Sequence, residues 1–258
     1  RAGGVDGDGF DDVIIGAPLN NDGGADAGKT YLMLSSAITA QAEGHTFDLS
    51  SASYSFVGQA AGDNSGHWVA SAGDVDGDGE DDLLIGAHRW DGDTAMDSQE
   101  GKTYLMLSSA ITSQSSGHTF NLGTDASYSF VGEAPLDRSG VCVTSAGDVD
   151  NDGKADLLIA TTGNDEGEDG DPATVSEGKT YLMLGSDITA QALGHTFNLG
   201  ADAAAAFVGE AENDYSGWSI SSAGDADGDG KDDLLIGAYG HDGTGTDRGK
   251  TYLIMSPY

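Results

Sequence analysis

Cysteine is almost missing from this 258-residue chain: Cys142 stands alone, so no disulfide can form within the molecule and cysteine usage marks no redox compartment. Basic side chains are scarce as well, 10 against 44 acids, for a formal net charge of −34 and an isoelectric point near 4.1. Such a balance leaves no basic patch to hold a nucleic-acid backbone or an anionic lipid headgroup. Among the acids Glu is the rare one, 9 against 35 Asp. Glu favours helices whereas Asp favours turns and metal loops, which excludes an acidic helical tail. No apolar run approaches the roughly 20 residues that cross a bilayer as a helix. The chain opens on Arg1 with neither Met nor signal peptide, which predicts a mature, trimmed or fragmentary product.

What is present is repetition. The phrase GDVDGDGEDDLLIGA from Gly73 to Ala87 returns as GDVDNDGKADLLIAT from Gly147 to Thr161 and as GDADGDGKDDLLIGA from Gly224 to Ala238, with an earlier copy, GGVDGDGFDDVIIGA, from Gly3 to Ala17. GKTYLML follows at Gly28, Gly101 and Gly178, and GKTYLIM at Gly249. A third phrase reads SYSFVG at Ser53 and Ser127 and AAAFVG at Ala204. A period of this length is one supersecondary unit repeated, with insertions falling in loops. The 38% hydrophobic content is spread along it in short runs of Val, Leu, Ile and Tyr, enough for a packed core.

Each unit reads as four short strands. Strand one precedes the Asp cluster (His67 to Gly73, Val141 to Gly147, Trp218 to Gly224), and strand two is the continuous apolar run DLLIGA of a doubly buried strand. KTYLML forms strand three behind a turn glycine, and SYSFVG forms strand four. A four-stranded antiparallel sheet repeated about an axis is a β-propeller blade, and a linear solenoid is the second choice. The chain order then predicts 14 strands in an all-β propeller region spanning residues 1–258: a partial blade at 1–58 (strands two to four), full blades at 65–132 and 139–209, and a partial blade at 216–258 (strands one to three). With both terminal blades incomplete, a regular four-bladed ring cannot close alone, and the expectation is a fragment of a longer propeller or blades completed by another subunit.

The Asp clusters carry the chemistry. In Asp74-Val75-Asp76-Gly77-Asp78-Gly79-Glu80-Asp81-Asp82, acids at positions 1, 3, 5 and 9 with glycine at 6 can wrap one hard cation, with a backbone carbonyl from position 7. Oxygen ligands at this density suit Ca²⁺, which takes six to eight at flexible angles, better than strictly octahedral Mg²⁺. Unneutralised, so many carboxylates would repel one another. The loop is no EF-hand, because position 12 is Ile15, Ile85, Ile159 or Ile236 where that motif needs Glu. Tandem calcium-binding nonapeptides are absent too.

Together these residues resemble the FG-GAP repeat of integrin α-subunit propellers and many bacterial secreted proteins. The resemblance rests on Phe-x-Gly (Phe56/Gly58, Phe130/Gly132, Phe207/Gly209), on the Asp-x-Asp-x-Asp-Gly-x-x-Asp loop, and on Gly16-Ala17-Pro18, which becomes Gly86-Ala87-His88, Gly237-Ala238-Tyr239 and, most divergent, Ala160-Thr161-Thr162. It implies Ca²⁺ in the loop joining strands one and two of each blade, with protein or glycan ligands approaching the opposite face. Carried over by position, the second site uses Asp74, Asp76, Asp78, the Glu80 carbonyl and Asp82; the third Asp148, Asp150, Asp152, the Lys154 carbonyl and Asp156; the fourth Asp225, Asp227, Asp229, the Lys231 carbonyl and Asp233. The first has Asp6, Asp8, the Phe10 carbonyl and Asp12, but Gly4 replaces the leading acid, so this site is expected to be weakest. Asp11, Asp81 and Asp232 at position 8 are not expected to ligate, since Ala155 replaces them in loop three.

No catalytic constellation is visible: there is no Gly-x-Ser-x-Gly elbow, phosphate loop or His-Glu-x-x-His. His45, His118 and His195 recur once per unit in GHTF, which predicts loop anchoring, and Cys142 on an inner strand predicts a buried, inert thiol. The variable loops bring Trp90, His88, Arg89, Tyr239, His241, Arg138 and Tyr215 into consideration as a recognition surface, against the plainer reading of a solvated acidic rim. Eighteen of the 35 Asp lie in the four loops, and the rest of the acids concentrate in places such as Asp165 to Asp171. The expectation is a calcium-stabilised, secreted, non-enzymatic module for adhesion or protein interaction at a cell surface. Alternatives are a subunit of a surface filament or layer with blades completed between chains, and a lectin-like or accessory propeller of a secreted hydrolase.

Overall fold

A computed structural model describes residues 1–92, 98–163, 176–242 and 248–258. The acid-rich stretch from Asp165 to Asp171 lies outside the described residues. Among the described residues sixteen strands form four sheets, one per sequence repeat.

Unit one holds β1 (Val13–Ala17), β2 (Lys29–Met33) and β3 (Tyr54–Val57). Unit two holds β4 (Trp68–Gly73), β5 (Asp82–Ala87), β6 (Lys102–Met106), β7 (His118–Asn121) and β8 (Tyr128–Val131). Unit three repeats this with β9 (Cys142–Gly147), β10 (Asp156–Thr161), β11 (Lys179–Met183), β12 (Thr196–Asn198) and β13 (Ala205–Val208). Unit four has β14 (Ser216–Gly224), β15 (Asp233–Ala238) and β16 (Lys250–Ile254). In every unit the second strand is the apolar run, and in units two and three it is buried from end to end because it lies mid-sheet with neighbours on both faces. Registers repeat as well: Leu84 faces Leu105 across β5–β6, Leu158 faces Leu182 across β10–β11, and Leu235 faces Leu253 across β15–β16.

The 14 strands expected from the repeat are all present, and the count needs correcting by two. The additional strands, β7 and β12, are the GHTF segments of units two and three. They do not join their own sheets. β7 runs parallel to β3, the outer strand of unit one, and β12 runs parallel to β8, the outer strand of unit two. The sheets are therefore not uniformly four-stranded and antiparallel: the sheet built on unit two has five strands, and each lock strand belongs to the following unit. Phe120 and Phe197 are the one inward residue of each lock, stacking on Phe56 and Phe130 with ring centroids 5.2 Å apart. The histidines do not anchor loops through their rings; His118 and His195 pack edge-on against Phe120 and Phe197, at 4.6 Å. His45 makes the same contact with Phe47, yet residues 44–48 form no strand and pair with no outer strand among the described residues.

The core lies between sheets as well as within them. One cluster packs Leu84, Leu105 and Phe130 of unit two against Leu157, Ile159 and Tyr181 of unit three. Equivalent clusters join unit one to unit two and unit three to unit four. Cys142 is buried in the last of these, and burial pushes its thiol up to about 11, so it is inert at neutral pH. No helix among the described residues is long and apolar enough to cross a membrane.

Candidate metal centres

The Asp loops of units two to four each follow an inner strand (β4, β9 or β14) whose pairing with the second strand shifts register near the loop. In units two to four a Ser two residues before a glycine accepts that glycine's N–H (Ser71 from Gly73, Ser145 from Gly147, Ser222 from Gly224, 3.0–3.1 Å), which turns the chain into the loop. The loop then closes on its own first acid. Asp74 Oδ1 accepts from Asp78 N–H at 3.0 Å and Oδ2 from Gly79 N–H at 2.8 Å. Asp148 accepts from Asp152 and Gly153, and Asp225 from Asp229 and Gly230, at 2.9–3.0 Å. The position 5 acid in turn accepts from the position 7 amide: Asp8 from Phe10, Asp78 from Glu80, Asp152 from Lys154 and Asp229 from Lys231, at 2.9–3.0 Å. Position 6 needs glycine for its dihedral and not for space, because Gly79, Gly153 and Gly230 have φ near +90° with open room where a Cβ would sit. Position 4 shares that left-handed conformation, which Asn151 adopts in loop three at φ 60°.

These bonds aim the remaining carboxylate surface at one point. Asp74, Asp76 and Asp78 each offer an oxygen within 4.8 Å of the others, as do Asp148, Asp150 and Asp156, and Asp225, Asp227 and Asp229. Two oxygens bound to one Ca²⁺ at about 2.4 Å cannot be more than about 4.8 Å apart, so each triad is compatible with a single ion. Position 5 in loop three (Asp152) and position 9 in loops two and four (Asp82, Asp233) lie outside the triads. Loop one, with Asp6, Asp8 and Asp12, forms no triad among the described residues. Gly4 costs it both a carboxylate ligand and the acceptor that gathers the loop amides in the other three.

Position 9 has a role beyond the ligand expected of it. Its Oδ2 accepts from the position 2 amide: Asp12 from Val5, Asp82 from Val75, Asp156 from Val149 and Asp233 from Ala226, at 2.8–2.9 Å. Its Oδ1 accepts at 2.8 Å from an amide just beyond strand three: Ser35, Ser108, Gly185 or Ser256. All four carboxylates are at most 1% exposed, so each is a buried strut tying the loop to the end of the third strand. Burial pushes Asp82 and Asp156 up to about 7, outweighing the two amide bonds that act the other way, and it raises Asp12 as well. A cation beside them would favour the charged form.

Position 8 acts across units. Asp81 of unit two accepts from Gly4 N–H at 2.9 Å, and its own N–H donates to the Gly4 carbonyl at 3.1 Å. Asp232 of unit four makes the same pair with Asp148. Ala155 keeps only the backbone half, donating to the Asp74 carbonyl at 2.7 Å. The residue at position 8 of one unit thus holds position 1 of the preceding loop. Ala155 at position 8 of loop three, the ground for leaving this position out of the expected ligand set, gives no hint of this clamp.

Five of the residues considered for recognition fall into two groups. In unit two His88 packs on His67 at 4.2 Å, and half-buried Trp90 lies beneath Lys102 Nζ at 4.8 Å. In unit four Tyr239 stacks on Tyr215 at 5.2 Å and meets Trp218 edge-on at 5.0 Å, while His241 Nδ1 lies 3.0 Å from Asp214. Arg138 reaches Gln99 between units two and three.

Comparison with known families finds the FG-GAP repeat at residues 2–33, 65–106, 143–182 and 216–254, together more than half of the chain. Each matched segment after the first begins on or just before an inner strand, and every one ends in or beside strand three, so each encloses one Asp loop. A comparison with curated proteins finds no match.

Proposed function

Because the chain belongs to the FG-GAP repeat family, we propose that it is a calcium-stabilised β-propeller module of an extracellular surface protein, non-enzymatic, acting in adhesion or protein interaction. The observation that carries this reading is the recurrence of an acid triad in three loops, built on positions 1 and 3 in each. Position 5 completes it in loops two and four and position 9 in loop three, and the first acid of each already gathers backbone amides. Loops built in this way bind a structural ion: the amides fix the first acid, the position 9 strut fixes the loop to its sheet, and Ca²⁺ would neutralise the charge that remains. Extracellular calcium modules bind at around 10⁻⁴–10⁻³ M, so in a calcium-rich medium the ion stabilises the fold by mass action rather than signalling. The four sheets in series, with inner strands β4, β9 and β14 side by side, are the arrangement expected of successive propeller blades. Protein or glycan ligands would meet the face opposite the Asp loops, on a rigid scaffold of variable connections.

Thermal unfolding with excess calcium and with chelator tests the reading. A large fall in Tm on chelation supports it, and an unchanged melt refutes it.

A further inference from the structure

The face opposite the Asp loops carries a corner whose charge runs against the rest of the chain. His67 lies just before β4 and His88 just after β5, while the Asp loop joins the other ends of the same two strands. The two rings meet with centroids 4.2 Å apart. Arg89 comes next in the chain, exposed, its backbone N–H donating to the Asp63 carbonyl at 3.3 Å. Arg138 arrives from the connection that leads into unit three. That connection runs beside unit two, because the Arg138 and Ser139 amides donate to the Gln99 and Glu100 carbonyls at 3.0 and 2.9 Å. Arg138 is exposed and holds φ 56°, a left-handed conformation uncommon for a residue with a side chain.

These two arginines lack what other bases of the chain have. Arg1, Lys29, Lys179 and Lys250 each hold a carboxylate at 2.5–2.8 Å. Arg89 and Arg138 make no ion pair among the described residues, and Arg138 Nε donates to the neutral Gln99 Oε1 at 3.3 Å. The carboxylates nearby already have donors: Asp63 accepts from the Ala60 amide at 2.9 Å, Asp91 from the Gln99 amide at 3.0 Å and Glu100 from the Ser98 hydroxyl at 2.6 Å. The imidazoles register the unbalanced field. Burial first, then His67, Arg89 and Arg138, push His88 down to about 3, and burial with Arg89 lowers His67. His88 Nδ1 is also buried without a hydrogen-bond partner, an exception among buried polar atoms.

We infer that this corner, at the junction of units two and three, binds a carboxylate presented by a protein partner, an Asp or Glu side chain gripped by Arg89 and Arg138 with His67 beside them. A guanidinium offers paired donors in a planar fork that matches a carboxylate, and bonds of this charge-assisted kind are the strong ones. A polyanion would meet the −34 of the whole chain, whereas one carboxylate on a basic partner meets the local field while the rest of the partner is attracted. A sugar acid would gain from an open aromatic face beside the arginines, but Trp90 on the same connection already lies beneath Lys102 Nζ. The inference rests on the reading that ligands meet the face opposite the Asp loops, and gives that face its chemistry.

Calorimetric titration of the whole chain in calcium tests it, using a short peptide of Lys and Gly around one Glu and a reference peptide with Gln in its place. The Glu peptide should bind roughly tenfold tighter, the value of a hydrogen bond between charged groups. General attraction to an acidic surface would favour the Gln peptide, so the sign is diagnostic. Arg89→Gln and Arg138→Gln, both at exposed positions and with folding verified by Tm, should each abolish the preference. Equal binding of the two peptides overturns the inference, as does a Glu preference that survives in both variants. Glucuronate that binds tighter than the Glu peptide through the same arginines would overturn it in favour of an acidic sugar. A calcium-dependent melt without a Glu preference defeats this corner and leaves the calcium reading standing. A Glu preference lost in both variants, in a chain whose melt ignores calcium, supports the corner and refutes that reading.

Discussion

Asp232 and Asp148, 84 residues apart, hold each other twice: the Asp148 amide donates to Asp232 Oδ2 at 3.0 Å and the Asp232 amide donates to the Asp148 carbonyl at 2.9 Å. The leading acid of one metal loop is thus fixed by the unit that follows. Asp232→Ala should therefore loosen loop three in a neighbouring unit, lowering stability by about 1–2 kcal/mol. Ala155→Asp is the converse test. Its carboxylate should settle over Gly73, as Asp81 does over Gly3, and raise Tm in calcium by supplying the missing acceptor for Asp74. Denaturant titration of the two variants checks both signs; a fall in stability for Ala155→Asp with calcium present would contradict the clamp.

The buried struts lead to a sharper expectation. Asp156→Ala leaves the amides of Val149 and Gly185 without their acceptor in the interior, at about 1–3 kcal/mol each. The loss should persist in chelator, because it is a structural bond as well as a ligand position. Asp150→Ala, by comparison, should matter in calcium and little without it. Urea unfolding of both variants, with and without calcium, separates the two roles.

The lock strands provide an internal control. Phe197 is 4% exposed and stacks on Phe130 in the preceding unit, so Phe197→Ala should cost about 3–5 kcal/mol. Phe47 occupies the same place in GHTF but pairs with no outer strand among the described residues, and Phe47→Ala in this chain should change stability by less than about 1 kcal/mol. Equal losses at the two positions would mean that the lock contributes nothing across units.

Much of this architecture could be read from the repeat, and what was missed has a common cause. DLLIGA and KTYLM announce strands by their own composition, and the Asp spacing announces an oxygen-rich loop, because both signals are local. GHTF gave no strand signal: it is short, it has one inward residue, and its partner strand is some 60 residues earlier in another sheet. The same holds for position 8, whose function is a bond to a neighbouring unit, and for position 9, whose second partner comes after strand three. One clue was available: GHTF recurs almost unchanged in three units, more faithfully than an unconstrained loop requires.

The raised carboxylates set a pH dependence whose sign depends on the metal. Unfolded Asp titrates near 3.9, while burial holds Asp82 and Asp156 near about 7 in the fold. Between those values the folded chain binds more protons than the unfolded one, so the metal-free protein loses stability as pH rises from about 4 to about 7. Calcium favours the charged form and opposes this trend. Stripped of metal, the chain should be more stable at pH 5 than at pH 7.5, and calcium should narrow or invert the difference. Chemical denaturation at both pH values, with and without the ion, measures it.

The most direct test of the account is calorimetric titration of the metal-stripped chain with calcium, with Tm recorded along the same series. Three sites should fill, those of Asp74, Asp148 and Asp225, with Tm rising as they do, and the Gly4 loop should take up the ion last or not at all. No heat of binding and a flat Tm through millimolar calcium would contradict it.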